Sequence, residues 1–355
     1  MILLITFTAI HLAITILFSA KIISWKSKGS TAKPTISIII AARNEFENLK
    51  NLIPKLLEQN YENFEISIGL DRCDDQSVQL LQSFESPKLK WVDIQEVPAD
   101  WNSKKYALTK AIESSTGEWL VFTDADCEPQ SDLWLESISK EIDSKTNVLI
   151  GVSPYTSNKT FLSKFIQFEA FMTYFLYCGM TILGRPYMAV GRNMAIRKSY
   201  FAEEKGYESI KGIKGGDDDL FIQKGGKNSI SLVMGKTSLV STIPSKSWAG
   251  YKNQKLRHHS VSKHYSKLDI SLLSIYHLIH LSIFILIPFN FKSSFLIPII
   301  LFYLFIKLVG YRFVASKIGA GFNYILFPIV DVLYAFMLPV ISIWSKLIKD
   351  IEWKN

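Results

Sequence analysis

The sequence predicts an α/β domain with a mainly parallel sheet, joined at both ends to apolar segments long enough to cross a membrane. Between residues 35 and 127, short apolar runs alternate with segments of helical hydrophobic spacing, which is the pattern of a parallel sheet covered by helices. Residues 1–20 and most of 270–345 are apolar and carry few charges. With 355 residues, 48% of them hydrophobic, the chain can form one sizeable domain besides its membrane segments.

Residues 1–22 are predicted to form an N-terminal transmembrane anchor. Residues 1–20 contain no acidic or strongly basic side chain, and about 20 such residues span the core of a bilayer. Lysines come after the apolar run, at Lys21, Lys26 and Lys28, whereas a cleaved signal peptide has its positive charges before it. The positive-inside rule then places the C-terminal side of the anchor in the cytosol.

The C-terminal membrane region, 270–345, is predicted to contain two spans, 270–289 and 295–311, and a third apolar stretch at 323–345. A basic tail, 346–355, follows, and a single crossing of the third stretch would place that tail outside, against the positive-inside rule. The composition of the stretch favours a re-entrant hairpin or an interfacial helix, with a further plain span as the alternative, because it contains Pro328, Asp331 and Pro339.

The segment between the membrane regions, 30–265, is predicted to be the soluble domain. Its apolar runs predict strands at 35–45, 64–71, 89–94 and 118–127, and its helical spacing predicts helices at 46–60, 77–84 and 104–115. The stretch 161–184 is rich in aromatic residues and nearly uncharged. We expect an interfacial helix there, with a core helix as the alternative.

Three of the predicted strands end in polar side chains: the first in Arg43 and Glu45, the second in Asp71, and the fourth in Asp124 and Asp126. In parallel sheets the binding crevice lies outside the carboxyl ends of the strands. A solvated loop accounts for any one of these clusters but poorly for all three together. The last two carboxylates, one residue apart, can bracket a divalent cation that also holds phosphate oxygens.

The stretch GGDDDLF at 215–221 places three carboxylates in a row before an apolar pair. Adjacent like charges repel, and burial of any of them would raise its pKa. The run is therefore either a solvated loop or a site that faces a cationic group.

These motifs, in this chain order, resemble the membrane-anchored glycosyltransferases of family 2, which have the GT-A fold. The resemblance covers nearly the whole chain and rests on SIIIAARNEFENL, LDRCDDQS, WNSKKYAL, GEWLVFTDADC, GRNMAIRKS, GGDDDLF and QKLRH. It implies transfer of a sugar from a nucleotide-sugar donor with inversion at the anomeric carbon.

Such a transfer needs a base for the acceptor hydroxyl and a cation for the departing diphosphate. The resemblance implies that the base is Asp218, Asp217 or Asp219, in that order of preference. It also implies that Asp126 and Asp124 hold Mg²⁺ or Mn²⁺. The donor-binding residues that it implies are Ala41, Arg43, Glu45, Asp71, Lys104, Asp124, Gln254, Arg257 and His258.

The sequence departs from the family pattern at four positions. Leu70 precedes Asp71 where a second aspartate is usual, Ser103 replaces the glycine before Lys104, Gly216 stands where a glutamate often precedes the base, and His258 replaces a tryptophan. The processive polysaccharide synthases keep that tryptophan, so its replacement weakens a synthase interpretation.

The expected acceptor is a membrane lipid, with a saccharide as the alternative. The expected location is the cytoplasmic membrane, multi-pass, with the catalytic domain facing the cytosol. Asp71 suits a uracil contact, so a UDP-sugar is the favoured donor. A processive polysaccharide synthase and a non-catalytic membrane scaffold that retains the fold are the alternatives. Nucleic-acid binding is not expected, because the net charge of +8 is concentrated beside the apolar segments.

Overall fold

The computed structural model describes residues 1–224 and 227–347. Its strands, in chain order, are β1 (Ile36–Ala42), β2 (Phe64–Asp71), β3 (Leu89–Ile94), β4 (Trp119–Phe122), β5 (Cys127–Pro129), β6 (Val148–Ile150), β7 (Met194–Arg197), β8 (Ile230–Leu232) and β9 (Val240–Thr242). Its helices are α1 (Ile2–Ser24), α2 (Phe46–Leu57), α3 (Ser77–Gln82), α4 (Ser103–Ser114), α5 (Trp134–Ser139), α6 (Phe161–Ile182), α7 (Lys198–Glu203), α8 (Asp219–Lys224), α9 (Trp248–Val261), α10 (Lys267–Leu286), α11 (Leu296–Ile318) and α12 (Phe327–Leu347).

The chain divides into two compact units. The sheet unit comprises residues 26–156 and 184–243, and the helical unit comprises 1–25, 157–183 and the chain from 244 onward. Residues 30–265 therefore fall in both units, and the bounds of the predicted soluble domain stay a prediction. The stretch around α6 and the segment that contains α9 both belong to the helical unit.

The sheet unit is built on a mainly parallel sheet with the strand order β3-β2-β1-β4-β7-β6-β8. β1 pairs in parallel with β2 and β4, β2 pairs in parallel with β3, and β7 runs antiparallel to β4 and β6. The first five residues of β1 are buried, as expected for a strand covered on both faces. The predicted parallel α/β architecture is confirmed, whereas the shorter strands β5 to β9 were not predicted.

Helix α4 packs directly on strand β2 at a glycine. A Cβ atom at Gly69 would lie 2.2 Å from the carbonyl oxygen of Ala107 on α4, so no larger residue fits there without moving the helix. This close approach fixes the height of α4 above the sheet. It also determines where the first turn of α4, which carries Lys104 and Lys105, lies along the carboxyl ends of the strands.

The helical unit contains four helices long and apolar enough to cross a membrane, judged by length and composition over the described residues. Their segments are Ile2–Ser24, Lys267–Leu286, Leu296–Ile318 and Phe327–Ser345, with mean hydropathies of 2.3, 1.7, 1.8 and 1.8. The last segment forms one helix with Pro339 inside it, not two helices joined by a turn. The predicted basic tail lies outside the described residues from 348 onward.

A buried polar cluster of five residues joins these four helices. Lys307 Nζ on α11 donates to Asp331 Oδ2 (2.6 Å) and Oδ1 (2.8 Å) on α12, and it lies 3.1 Å from His280 Nε2 on α10. Tyr303 OH lies 3.2 Å from His11 Nδ1 on α1. All five side chains are completely buried. Charged groups among apolar helices are costly unless they are paired, so this cluster fixes the partners of all four helices.

Helix α6 confirms the helix predicted at 161–184 but is buried on nearly all sides. Phe168 packs on Phe322, Phe327 and Tyr334, with ring centroids 5.0 to 5.9 Å apart. The aromatic residues therefore contact other helices of the same unit, which gives the segment the burial of a core helix. A position at the membrane surface stays a prediction.

Candidate active site

The loops after β1 and β2 are joined by hydrogen bonds at the carboxyl edge of the sheet. Asn44, with a left-handed φ of 55°, accepts at Oδ1 from the backbone N–H of Asp74 (3.0 Å). Asp75 Oδ2 accepts from the backbone N–H of Phe46 (3.0 Å) at the start of α2. Because each loop holds the other, the polar residues that follow the two strands are brought together at one edge.

The predicted donor-binding residues of the sheet unit lie along this edge. Ala41 stands in β1 opposite Gly69 of β2, and Arg43 and Glu45 follow in the connecting loop. Asp71, the last residue of β2, is buried, and its carboxylate accepts from the Arg72 Nε–H at 2.7 Å.

Asp124 and Asp126 lie just beyond β4, and the adjacent Cys127 begins β5. The potential ligand atoms of these three residues all lie within 4.8 Å of one another. Asp126 is exposed and Asp124 is partly exposed, so both carboxylates can reach a solvent-borne ligand. Burial, reinforced by the charge of Asp124, raises the pKa of the Cys127 thiol well above its usual value, which leaves the thiol protonated. Carboxylate oxygens suit Mg²⁺ and Mn²⁺, whereas a neutral thiol is a poor ligand for either.

Lys104 connects the Asp124 carboxylate to the GGDDDLF run. Its Nζ lies 2.9 Å from Asp124 Oδ1 and 3.2 Å from Asp217 Oδ2. Burial alone would lower the pKa of Lys104, but the charges of Asp124 and Asp217 outweigh it and raise the pKa well above its usual value. The ammonium is therefore permanently charged and supplies the cationic group that the three adjacent carboxylates require.

The three carboxylates of the run have three different environments. Asp217 pairs with Lys104 as described. Asp218 Oδ2 accepts from the backbone N–H of Gly191 at 2.8 Å, and its Oδ1 accepts from the N–H of Asp219 at 2.7 Å. Asp219 begins α8, and its Oδ1 accepts from the N–H of Ala189 at 3.2 Å. The run is thus not a solvated loop.

Electrostatics separates Asp217 from Asp218. Burial raises the pKa of Asp217, but Lys104 and Lys105 more than reverse this, so its pKa lies below the usual value. For Asp218, burial and then the negative charge of Asp217 raise the pKa to about 6. Two neighbouring carboxylates with pKa values pushed apart are a recurring arrangement in acid–base catalysis, and the one with the raised pKa is the better base.

The remaining predicted donor-binding residues, Gln254, Arg257 and His258, lie on α9 of the helical unit. Lys255, on the same helix, forms a buried ion pair with Glu169 of α6, with Nζ and Oε2 2.5 Å apart. This pair fixes α9 within the helical unit. The donor contacts of the three predicted residues stay a prediction.

Two features of the site were not found from the sequence. Lys105 is completely buried, and its Nζ donates to backbone carbonyls of the segment before Asp217. Asn193 is also buried; its Nδ2 donates to the carbonyl oxygens of Val152 (2.7 Å) and Ser238 (2.8 Å), and this anchors the turn that presents the Gly191 N–H. For Lys105, the sequence offers one indication, the pair of adjacent lysines at the start of α4. Adjacent residues of a helix point in different directions, so Lys104 and Lys105 cannot both face the same partner.

Residues 37–204 match the family model described as glycosyl transferase family 2. Among solved structures, the mannosyltransferase PcManGT from Pyrobaculum calidifontis, in complex with GDP-Man and Mn²⁺, is similar, with a TM-score of 0.58 and 14% identity over 97% of this chain and 99% of that chain. Glucosyl-3-phosphoglycerate synthase from Mycobacterium tuberculosis gives a TM-score of 0.45 and 14% identity over 68% of this chain and 86% of that chain. No curated protein matches the sequence. The chain therefore carries a glycosyltransferase family 2 domain with the GT-A fold, and it is a glycosyltransferase.

Proposed function

We propose that this protein is an inverting, metal-dependent glycosyltransferase that moves a sugar from a nucleotide-sugar donor to a lipid acceptor in the membrane. The observation that carries the proposal is the position of Lys104 between Asp124 and Asp217. Through Lys104, Asp124, an expected ligand of the cation that binds the donor diphosphate, lies near Asp217 and the adjacent Asp218, the expected base for the acceptor hydroxyl. That is the proximity a direct displacement requires.

The metal that the fold family implies fits the residues present. Asp124 and Asp126 would hold Mg²⁺ or Mn²⁺ through carboxylate oxygens, hard ligands that these cations prefer to the sulfur of Cys127. When bound, the cation stabilises the negative charge that develops on the leaving diphosphate. The solved mannosyltransferase of similar fold was captured with Mn²⁺ and GDP-Man, which supports this cofactor class.

The residues of the GGDDDLF run supply the acceptor side of the reaction. Asp218 takes the proton of the acceptor hydroxyl, because its raised pKa and partly buried carboxylate suit a base that works near neutral pH. Asp217 stays ionised beside Lys104 and holds that ammonium next to Asp124. The hydroxyl oxygen then attacks the anomeric carbon as the bond to the diphosphate breaks, which inverts the configuration in one step. Asp71 at the end of β2 is the proposed contact for the donor base, with uracil favoured.

The proposed function predicts transfer of label from one nucleotide sugar to the lipid extract when membranes that contain the protein are incubated with labelled UDP-, GDP- and dTDP-sugars. Membranes with the Asp218→Asn variant, at matched protein level, are the control and should show a strongly reduced signal. A long polymer as product would support the processive synthase instead. No transfer from any donor, with the protein intact, would support the scaffold interpretation.

We further propose that the helical unit is embedded in the cytoplasmic membrane. In this proposal the non-helical segment between α11 and α12 enters the membrane, and α12 leads back to the same side, so that this part of the chain does not cross. Lys307 lies roughly 16 Å before the end of α11, at a rise of about 1.5 Å per residue, and yet it pairs with Asp331 in the second turn of α12. The chain that follows α11 therefore turns back toward the middle of that helix before α12 begins.

The other end of α12 supports a return to the side from which it entered. Lys252 Nζ lies 4.7 Å from the centre of the Trp344 ring, near the C-terminal end of α12. Lys252 belongs to α9, which also carries Arg257 and two neighbouring histidines, and this polar helix suits the cytosolic headgroup region better than the bilayer core. A return to that side also satisfies the positive-inside rule for the lysines after residue 345.

This topology predicts that a fluorescent reporter fused after Asn355 lies in the cytosol. The matched control is a fusion truncated after Asn290, between α10 and α11, which should lie outside. Protease added to sealed inside-out vesicles should cut within 26–156 and remove the C-terminal reporter, while right-side-out vesicles should protect both. An external reporter after Asn355 would show that α12 is a full span.

A further inference from the structure

Lys105 has a buried ammonium group that the proposed chemistry does not use. The side chain is completely buried, and its Nζ donates to the carbonyl oxygens of Ile213 at 2.5 Å and Gly215 at 2.6 Å. A buried charge is costly unless hydrogen bonds compensate it, and carbonyl oxygens accept strongly from an ammonium. The two bonds therefore stabilise one backbone conformation of the segment 213–215.

The backbone held by Lys105 is the segment that leads directly into the carboxylate run. Gly215 and Gly216 both have left-handed φ angles, 78° and 76°, immediately before Asp217. Consecutive glycines have wide conformational freedom, so they do not define the path of this segment by themselves. A third bond from the same helix end supports it, because the backbone N–H of Asn102 donates to the carbonyl oxygen of Lys211 at 2.6 Å.

The first turn of α4 thus contacts both the proposed metal ligand Asp124 and the segment that carries the GGDDDLF run. Lys104 reaches Asp124 and Asp217 with its side chain, while Lys105 holds the backbone that precedes Asp217. We infer that Lys105 is a positioning residue that sets the place of Asp217 and Asp218 relative to Asp124. The inference rests on the proposed function of the carboxylate run as the acceptor base. The charge of Lys105 also contributes to the lowered pKa of Asp217.

The test replaces Lys105 by methionine, which keeps the length of the side chain but removes its donors. We expect Lys105→Met to lower single-turnover transfer at saturating donor by roughly 10- to 100-fold, the scale of a small misplacement of a catalytic group. Equilibrium donor binding should change little, because the Lys104–Asp124 pair remains. Lys105→Arg keeps charge and donors and should recover a substantial part of the rate.

Two further readouts separate positioning from general damage to the fold. Hydrogen exchange of peptides from 211–219 should become faster in Lys105→Met, because the segment loses its anchors. The acid limb of the pH–rate profile should shift, because Lys105→Met changes the burial of Asp218 and removes the positive charge beside Asp217. Lys110→Met is the matched control: Lys110 lies on the same helix, pairs with Glu113 at the surface, and should change none of these quantities.

Should Lys105→Met fail to accumulate, Gly215→Ala tests the same segment, because an alanine at a φ of 78° is strained. It should lower transfer and speed hydrogen exchange of the same peptides, and any shift of its acid limb should be toward lower pH, because the Lys105 charge stays while Asp218 becomes more exposed to water. The inference is overturned if either variant folds and keeps a normal rate and an unshifted acid limb, or if Lys105→Met loses donor binding in proportion to rate. Failure of the proposed function would look different, since the wild-type protein would then transfer no sugar at all.

Discussion

Replacing Asp218 by asparagine is expected to lower the rate of sugar transfer by roughly 10²–10⁴-fold, the usual contribution of general-base catalysis. Affinity for the nucleotide-sugar donor should change little, because the base meets the acceptor hydroxyl and not the nucleotide. The structure favours Asp218 over its neighbours. Asp217 is held in an ion pair with Lys104, and Asp219 begins α8 with its carboxylate bonded to the N–H of Ala189.

The pH dependence of the reaction gives a second signature of the same residue. The base works in its ionised form, and burial together with the charge of Asp217 raises the pKa of Asp218 to about 6. The value of kcat/KM should therefore be level above this pH and fall about tenfold per pH unit below it. In Asp218→Asn the acid limb should disappear, and the residual rate should not depend on pH in this range.

The measurement is single-turnover transfer at saturating donor, with equilibrium donor binding and thermal unfolding recorded for each variant. The carboxylate of Asp218 accepts from both Gly191 and Asp219, and an asparagine can accept only one of these two bonds through its carbonyl oxygen. We therefore expect a loss of about 1 kcal/mol in stability, too small to explain the loss of rate. Asp217→Asn and Asp219→Asn are the comparison variants. If Asp218→Asn transferred sugar at a near-normal rate, Asp218 would not be the base.

The sequence was sufficient to predict the parallel strands and the polar residues at their ends. An apolar run such as Ile36 to Ile40 fits the buried centre of a sheet. A carboxylate at the end of a parallel strand lies at the binding edge of the sheet, and this does not depend on the fold of distant segments. Asp71 and Asp124 were predicted in this way. Their positions depend only on local pattern and on the general geometry of parallel sheets.

Contacts between distant segments could not be predicted in the same way. The bonds from Lys105 to the carbonyls of Ile213 and Gly215 join segments more than 100 residues apart. The double lysine indicates only that the two side chains point in different directions, and it does not indicate which distant segment Lys105 contacts. The different environments of the three carboxylates likewise depend on a distant segment, because the N–H that donates to Asp218 belongs to Gly191 in another loop. The burial of α6 depends on Phe322 and Phe327, which belong to the C-terminal helices.

Replacing Asp126 by asparagine is expected to weaken donor binding and transfer together, in contrast to Asp218→Asn. Asp126 is the more exposed of the two proposed metal ligands, and the other, Asp124, is already paired with Lys104. Loss of the Asp126 charge leaves a single carboxylate that the lysine already partly neutralises. A catalytic cation contributes several kcal/mol of charge stabilisation, so kcat/KM should fall by about 10³-fold or more.

Removal of the cation from the wild-type protein should reproduce this result. Activity is expected to vanish with EDTA and to return with Mn²⁺ or Mg²⁺, and titration with Mn²⁺ should show donor binding that depends on the metal in wild type and only weakly in Asp126→Asn. Glu128→Gln is the matched control, because Glu128 is an exposed carboxylate two residues away that pairs with Lys55. It should keep both metal dependence and rate. Full activity of the wild-type protein in excess chelator would exclude a metal role for Asp124 and Asp126, and Lys104 would then be the group that faces the leaving diphosphate.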